Sequence, residues 1–92
     1  MGLPFNIASY GLLLELIAKE CNLKPGKLIG FLGDVHIYKN HLDQINEQLV
    51  RASYPSPKLI LDGYDSFFNW SWDKATLDNY QCHGPLKAPV AV

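Results

Sequence analysis

The sequence has few charged residues and no long apolar run, and each shortage excludes a class of protein. Charged side chains make up 18% of the 92 residues, and the formal net charge is -1. This balance lacks the basic excess that binders of nucleic acid or anionic membranes normally carry. The longest strongly apolar run, residues 11–18, contains Glu15 and falls far short of the roughly 20 residues of a membrane span. We therefore expect a soluble, cytoplasmic protein that has neither nucleic acid nor a membrane as a partner.

Cysteine is also scarce, since the chain contains only Cys21 and Cys82. The two are far apart and form no CxxC pair or other metal-ligand spacing. A disulfide between them is one interpretation. We favour two free thiols in a reducing compartment, with Cys21 in the core of an apolar helix and Cys82 as a structural thiol beside a turn.

The size and composition of the chain point to one domain at most, and to a chain that folds. Hydrophobic residues make up 48% and aromatic residues 12% of the sequence, which excludes an intrinsically disordered protein. Helix and strand patterns alternate without a simple βαβ period. The fold class predicted from the pattern is therefore α/β or α+β.

The first predicted element is a helix with a start signal at residues 4–6 and a stop signal at residues 25–26. Apolar side chains occupy nearly its whole circumference, and few charged residues interrupt them. Such a helix belongs in the middle of a larger domain or against a partner. We therefore predict a buried central helix and an incomplete domain over residues 1–92.

Strict alternation after Gly33 predicts a strand within residues 28–38, kinked at a glycine. Asp34, His36 and Tyr38 share one face of this strand. His36 and Tyr38 together suit a sugar hydroxyl or a phosphate oxygen, or they satisfy backbone groups in the core. Asn6 has two interpretations as well, because it either caps the first helix or reads a nucleobase edge through its amide.

Further elements follow along the chain. Asn40 is the predicted N-cap of an amphipathic helix over residues 41–51, which buries Leu42, Ile45 and Leu49. Residues 58–61 form a predicted strand and residues 62–63 a turn. The aromatic segment that follows carries no clear local pattern.

Four segments of the chain together resemble the C-terminal third of the thymidylate synthase family. They are GLPFNIASY at 2–10, GDVHIYKNHLDQ at 33–44, PSPKL at 55–59 and KAPVAV at 87–92. They stand in the family's order and near its spacings, and only residues 62–79 match poorly. The resemblance implies a C-terminal portion of the family's fold.

The resemblance also implies a reaction, in which this methyltransferase family converts dUMP to dTMP with 5,10-methylenetetrahydrofolate as carbon donor and reductant. Asn6 matches the residue that binds uracil, whereas related hydroxymethylases of dCMP carry aspartate there. His36 and Tyr38 match the pair that binds the deoxyribose 3′-hydroxyl. The implied folate contacts are Gly2, Phe5, Ala91 and Val92, the last two lying on a tail that closes over the ligands.

The departures from the family pattern concern catalysis. The family's nucleophilic cysteine lies in a Pro-Cys-His segment upstream of LPFN, and neither Cys21 nor Cys82 matches it. The arginines that bind the nucleotide phosphate are also missing. We therefore expect a chain that is inactive alone and docks onto an upstream part of the enzyme, with the family's homodimer formed only when that part is present. The alternatives are an inactive remnant or nucleotide-binding module, and an excised portion of an ordinary enzyme.

Overall fold

A computed structural model describes residues 2–90, and within them the regular elements are helices and a two-stranded sheet. Helix α1 spans Leu3–Glu20 and helix α2 spans Leu42–Val50. Strands β1 (Lys58–Leu61) and β2 (Ala75–Asp78) pair in an antiparallel sheet. This mixture confirms the α+β class.

The described residues group into two compact units. The first contains residues 2–32 and 61–75, and the second contains residues 33–60 and 76–90. Helix α1 lies in the first unit, and helix α2 lies in the second.

The first helix is confirmed, but it ends well before the predicted stop signal. Asn22 takes a left-handed φ of 53° directly after the helix. The N–H of Leu23 donates to the carbonyl of Ala18 at 2.7 Å, and the N–H of Asn22 donates to that of Lys19 at 3.1 Å. These two bonds form a Schellman motif, which satisfies carbonyls of the last turn and ends the helix. Cys21 lies at this end and is exposed, so the prediction of a core thiol is wrong.

Burial on α1 is confined to Leu16 and Ala18. The N-terminal turns carry exposed apolar side chains, among them Phe5 at 77% and Tyr10 at 63%. The predicted buried central helix is thus present as a helix, but most of it is uncovered in this chain.

The predicted strand over residues 28–38 is wrong, because the structure gives this segment no strand. Strand β1 pairs with β2, so the described residues offer residues 33–38 no neighbouring strand. A lone extended segment cannot form the ladder of hydrogen bonds that defines a sheet.

The predicted cap of α2 is also wrong, whereas the helix itself is confirmed. Asn40 lies inside a 3₁₀ turn, Lys39–His41, which the N–H of His41 closes on the carbonyl of Tyr38 at 2.9 Å. The N-cap is His41, without a side-chain cap bond. The predicted stripe is only partly covered: Ile45 is half-buried, while Leu42 and Leu49 are 52% and 77% exposed.

The predicted strand at residues 58–61 and the turn after it are confirmed, whereas strand β2 was not predicted. Strand β1 occupies residues 58–61 as predicted, and Gly63 takes a φ of +57° in the turn that follows. That conformation is costly for most other residues and free for glycine. The aromatic segment, left open by the sequence, forms 3₁₀ turns at Phe67–Asn69 and Trp72–Lys74 before β2.

Candidate functional site

His36 and Tyr38 lie side by side in the second unit, as their two-residue spacing predicted. Their ring centroids are 5.0 Å apart and the ring planes meet at 85°. Asp34 lies on the same side, with its carboxylate 3.5 Å from Nδ1 of His36. The shared face therefore exists although the backbone there is not a sheet strand.

Hydrogen bonding sets the orientation of the His36 ring. Its Nδ1 lies 3.1 Å from the backbone carbonyl of Asp34. A carbonyl oxygen only accepts, so Nδ1 carries the proton in this bond. In the neutral ring Nε2 is then an acceptor, and Tyr38 next to it adds a phenol group. The pair therefore has one acceptor and one donor-acceptor for a hydroxyl ligand.

Asn6 lines an apolar cleft in the first unit. The cleft has a volume of about 590 Å³ and lies between one face of α1 and the segment after Gly26; its lining residues are Leu3, Asn6, Ile7, Tyr10 and residues 28–32. Gly2 is the N-cap of α1, so Asn6 lies inside the helix and its interpretation as a cap is wrong. Its amide is instead a polar group on an apolar wall.

Of the four predicted folate contacts, the structure describes Phe5 and Gly2. Phe5 has a largely exposed ring but does not line the cleft, since the lining residues belong to the face at positions 3, 6, 7 and 10. Gly2 lies in open space, where an added Cβ would meet no atom within 4 Å. Ala91 and Val92 lie outside the described residues.

Tyr10 lines the cleft with Asn6 and was missed by the functional interpretation. The signal was available, because positions 3, 6, 7 and 10 fall on one face of a helix. These positions belong to the apolar circumference predicted for the helix, whereas here the face is open. Tyr10 thus adds a second polar group to the cleft wall.

Glu20, at the end of α1, is the centre of a hydrogen-bonded cluster in the first unit. Its carboxylate accepts hydrogen bonds from the Phe67 N–H at 2.8 Å and from the Tyr64 hydroxyl at 2.7 Å. These bonds, the Phe67 N–H first, hold the pKa of Glu20 below its ordinary value. Partial burial and the bond to Glu20 raise the pKa of Tyr64 to about 12. This cluster fixes the end of α1 to the loop between the strands.

Side chains near α2 bind the C-terminal segment, defined here as residues 84–90. Nη1 of Arg51 donates to the carbonyl of Gly84 at 2.7 Å, and Nε2 of Gln44 donates to that of Lys87 at 3.0 Å. Nε2 of His41 donates to the carbonyl of Pro89 at 2.6 Å. Sequence reasoning missed these residues, because partners 33 to 48 positions apart leave no local pattern.

The described residues offer no assembled nucleophile. Both cysteines are exposed free thiols. Among residues 2–90 no cluster of three potential metal ligands occurs, and no helix there has the length and apolar character needed to cross a membrane. These residues do present an acceptor and a phenol in the second unit, and an amide beside an apolar cleft in the first.

Comparison with known proteins assigns the family. The thymidylate synthase family model matches residues 1–92. The thymidylate synthase of Mycoplasma pneumoniae is 50% identical over all 92 residues, and that of Mesoplasma florum is 48% identical over the same length. The chain spans 32% of the length of each of these relatives. With the whole chain matched, it belongs to the thymidylate synthase family.

Proposed function

We propose that this chain supplies the uracil, deoxyribose and folate contacts for the reductive methylation of dUMP to dTMP. In this proposal it works together with the upstream part of the family's enzyme. The observation that carries the proposal is the side-by-side arrangement of His36 and Tyr38, 5.0 Å apart by ring centroid.

This pair suits the 3′-hydroxyl of a deoxyribose. The bond from Nδ1 of His36 to the carbonyl of Asp34 leaves Nε2 to accept the sugar's hydroxyl proton. The Tyr38 phenol lies beside it and offers both a donor and an acceptor to the same oxygen. A sugar hydroxyl can donate one hydrogen bond and accept another, so His36 and Tyr38 together can satisfy it in both roles.

Asn6 suits the polar edge of a pyrimidine base, and the family resemblance favours uracil over cytosine. An amide donates and accepts at once, and uracil presents a carbonyl next to a ring N–H. Cytosine reverses the polarity of this edge, which a rotated amide would also match, so the preference for uracil rests on the resemblance, in which dCMP hydroxymethylases carry aspartate at this position. The cleft beside Asn6 is apolar, as expected for a site that receives a flat ring.

The proposed co-substrate is 5,10-methylenetetrahydrofolate, which supplies the one-carbon unit and the reducing equivalents when bound. The largely exposed ring of Phe5 fits a flat pterin, because it offers an aromatic face for stacking. Gly2 accepts a hydrogen bond from the Phe5 N–H at 3.1 Å, and its open surroundings give a ligand access to the backbone. Ala91 and Val92 complete the proposed folate contacts.

Catalysis in this proposal requires a nucleophile from outside the chain. Attack on the pyrimidine ring needs an activated thiolate, and neither Cys21 nor Cys82 stands in the Pro-Cys-His context of the family. The upstream part would supply this cysteine together with the phosphate-binding arginines. It would also cover the exposed apolar turns of α1, which gives docking a hydrophobic driving force. Assembled in this way, the enzyme would adopt the family's homodimer.

Complementation tests the proposal. The purified chain is mixed with an upstream segment of a relative that ends just before the position of Gly2, and tritium release from 5-tritiated dUMP is measured with methylenetetrahydrofolate. We expect turnover from the mixture and none from either part alone. Asn6→Ala should lower kcat/KM by about 10- to 100-fold, which corresponds to one or two lost hydrogen bonds.

Asn46→Ala is the matched control, because Asn46 is an exposed asparagine on the outer face of α2. It should leave turnover unchanged. Absence of both turnover and association in sedimentation would contradict complementation and favour an inactive remnant. Binding of dUMP without turnover would favour a nucleotide-binding module.

A further inference from the structure

His41 differs from the other polar residues of the second unit in its burial. It is 8% exposed and is the buried polar side chain among the described residues. A buried imidazole needs a partner for its polar atoms, since an unpaired buried donor is costly. The contacts of its ring therefore indicate what this residue does.

One contact of His41 is with the C-terminal segment. Nε2 donates to the carbonyl of Pro89 at 2.6 Å, across 48 positions of sequence. Gln44 binds the carbonyl of Lys87 from the first turn of α2. Of these two donors, His41 binds the later position of the segment and is the more buried one.

The other contact of His41 is with Tyr38. The two rings meet edge to face, with centroids 5.5 Å apart and planes at 78°. Tyr38 in turn meets His36 edge to face at 5.0 Å. Such aromatic pairs have a preferred geometry, so moving one ring disturbs the next. The contacts form a continuous series from His36 through Tyr38 and His41 to the carbonyl of Pro89.

We propose that His41 is a positioning residue that couples the His36–Tyr38 pair to the C-terminal segment. Its ring edge contacts the Tyr38 ring, and its Nε2–H fixes the backbone at Pro89. The coupling to nucleotide rests on the proposed function, whereas the attachment of the segment does not. When a nucleotide orders the rings of His36 and Tyr38, the bond from His41 to Pro89 is strengthened and the segment is held more tightly.

Two substitutions separate the two contacts of His41. His41→Phe keeps an aromatic ring against Tyr38 and removes the donor to Pro89. His41→Gln keeps an amide N–H near the position of Nε2 and removes the ring. Lys39→Ala is the matched control, because Lys39 is an exposed residue of the same 3₁₀ turn.

Trypsin reports directly on the C-terminal segment, because Lys87 lies within it. Cleavage after Lys87 removes residues 88–92 and is measured by mass spectrometry on the full chain. Loss of one hydrogen bond should speed this cleavage by about fivefold in His41→Phe. His41→Gln and Lys39→Ala should cleave at close to the wild-type rate. Cleavage after Lys27, in the first unit, is the internal reference for general opening of the chain.

The nucleotide arm uses the mixture with the upstream segment. Saturating dUMP should slow cleavage after Lys87 in the wild type and in Lys39→Ala. In His41→Gln this protection should be lost while cleavage without nucleotide stays slow, because the ring contact to Tyr38 is missing. A side chain with a purely structural role would not separate these two rates.

The cleavage rates test the role of His41 separately from the proposed function in dUMP methylation. Cleavage of His41→Phe after Lys87 at the wild-type rate overturns the attachment to Pro89. Full dUMP protection of His41→Gln overturns the coupling. If dUMP fails to bind the wild-type mixture, the proposed function and the coupling both fail, and the rates without nucleotide still decide the attachment.

Discussion

The two units of the molecule hold their distant segments by opposite hydrogen-bonding arrangements. In the first unit one carboxylate, that of Glu20, accepts bonds from Tyr64 and Phe67. In the second unit, by contrast, separate side chains donate to backbone carbonyls of the C-terminal segment; the donors are His41, Gln44 and Arg51. In the first arrangement two distant chain positions bind one ionisable group, whereas in the second the bonds are spread along a segment.

This difference has consequences for how each unit responds to conditions. A carboxylate accepts charge-assisted bonds only while it is ionised, so the first arrangement depends on pH. Two of the three donors in the second arrangement do not respond to acid, since Arg51 remains charged and the amide of Gln44 does not titrate. We therefore expect acid to loosen the first unit at Glu20, and substitution to be needed to loosen the second at Gly84 and Lys87.

The largest effect is expected for Arg51→Met, which removes the donor to Gly84 while keeping most of the aliphatic stem. A hydrogen bond to a charged group contributes about 2 kcal/mol, so the free energy of unfolding should fall by about that amount. Urea denaturation followed by circular dichroism measures it. The C-terminal segment should also become a better trypsin substrate at Lys87.

Glu47→Gln is the control for this substitution, because Glu47 pairs with the same guanidinium one helical turn away. Exposed pairs of this kind contribute only about 0.3–0.5 kcal/mol. If Glu47→Gln destabilises the chain as much as Arg51→Met, the ion pair matters and the attachment to Gly84 does not. The contrast between the two units would then disappear.

Local signals in the sequence predicted the elements whose cause is local. The strand at residues 58–61 and the turn at Gly63 follow from β-forming side chains and a glycine, and both were predicted at their observed positions. The end of α1 depends on Asn22 in a left-handed conformation, which asparagine adopts more readily than most residues. The proline-glycine pair at residues 25–26 is the stronger stop signal in the sequence. The end of the helix was therefore predicted there and not at Asn22.

Elements with a distant cause were not predictable in the same way. The alternation at residues 33–38 placed His36 and Tyr38 correctly on one side, since alternation fixes side-chain direction in any extended chain. It could not reveal whether a neighbouring strand exists. The same limit applies to His41, whose partner lies 48 positions away. The roles of Asn6, His36 and Tyr38 stay predictions, based on the family resemblance.

The second effect in size is a pH dependence that Glu20→Gln should remove. The pKa of Glu20 in the folded chain lies below its ordinary 4.5, chiefly because the Phe67 N–H binds the ionised form. The resulting stabilisation is present above about pH 4.5 and is lost as the pH falls through the lowered pKa. The protection factor of the Phe67 amide, which compares its exchange rate with the intrinsic rate at the same pH, should therefore fall in acid in the wild type.

In Glu20→Gln the protection of this amide should be weaker at neutral pH and nearly independent of acid. The effect is modest, because the carboxylate is exposed and solvent screens it. Glu15→Gln is the matched control, since Glu15 lies on the same helix outside the contacts of Tyr64 and Phe67. An acid-sensitive Phe67 amide that persists in Glu20→Gln would show that another group controls this loop.

The smallest effect is expected for Tyr64→Phe, which removes one of the bonds to Glu20 and leaves the Phe67 N–H in place. The pKa of Glu20, followed by carbon NMR, should rise toward 4.5 without reaching it, because the Phe67 bond is the larger cause of its lowering. The substitution should also change how the stability of the folded chain depends on pH in the alkaline range. The pKa of Tyr64 is raised to about 12 in the folded chain. The stabilisation from its protonated hydroxyl is therefore full below pH 10 and is lost as the pH rises toward 12. Tyr80→Phe is the control, because Tyr80 is an exposed tyrosine of the second unit. It should leave the pKa of Glu20 and the alkaline pH dependence of stability unchanged. If Tyr64→Phe moves the pKa of Glu20 as far as its ordinary value, the hydroxyl and not the Phe67 N–H is the main partner of the carboxylate.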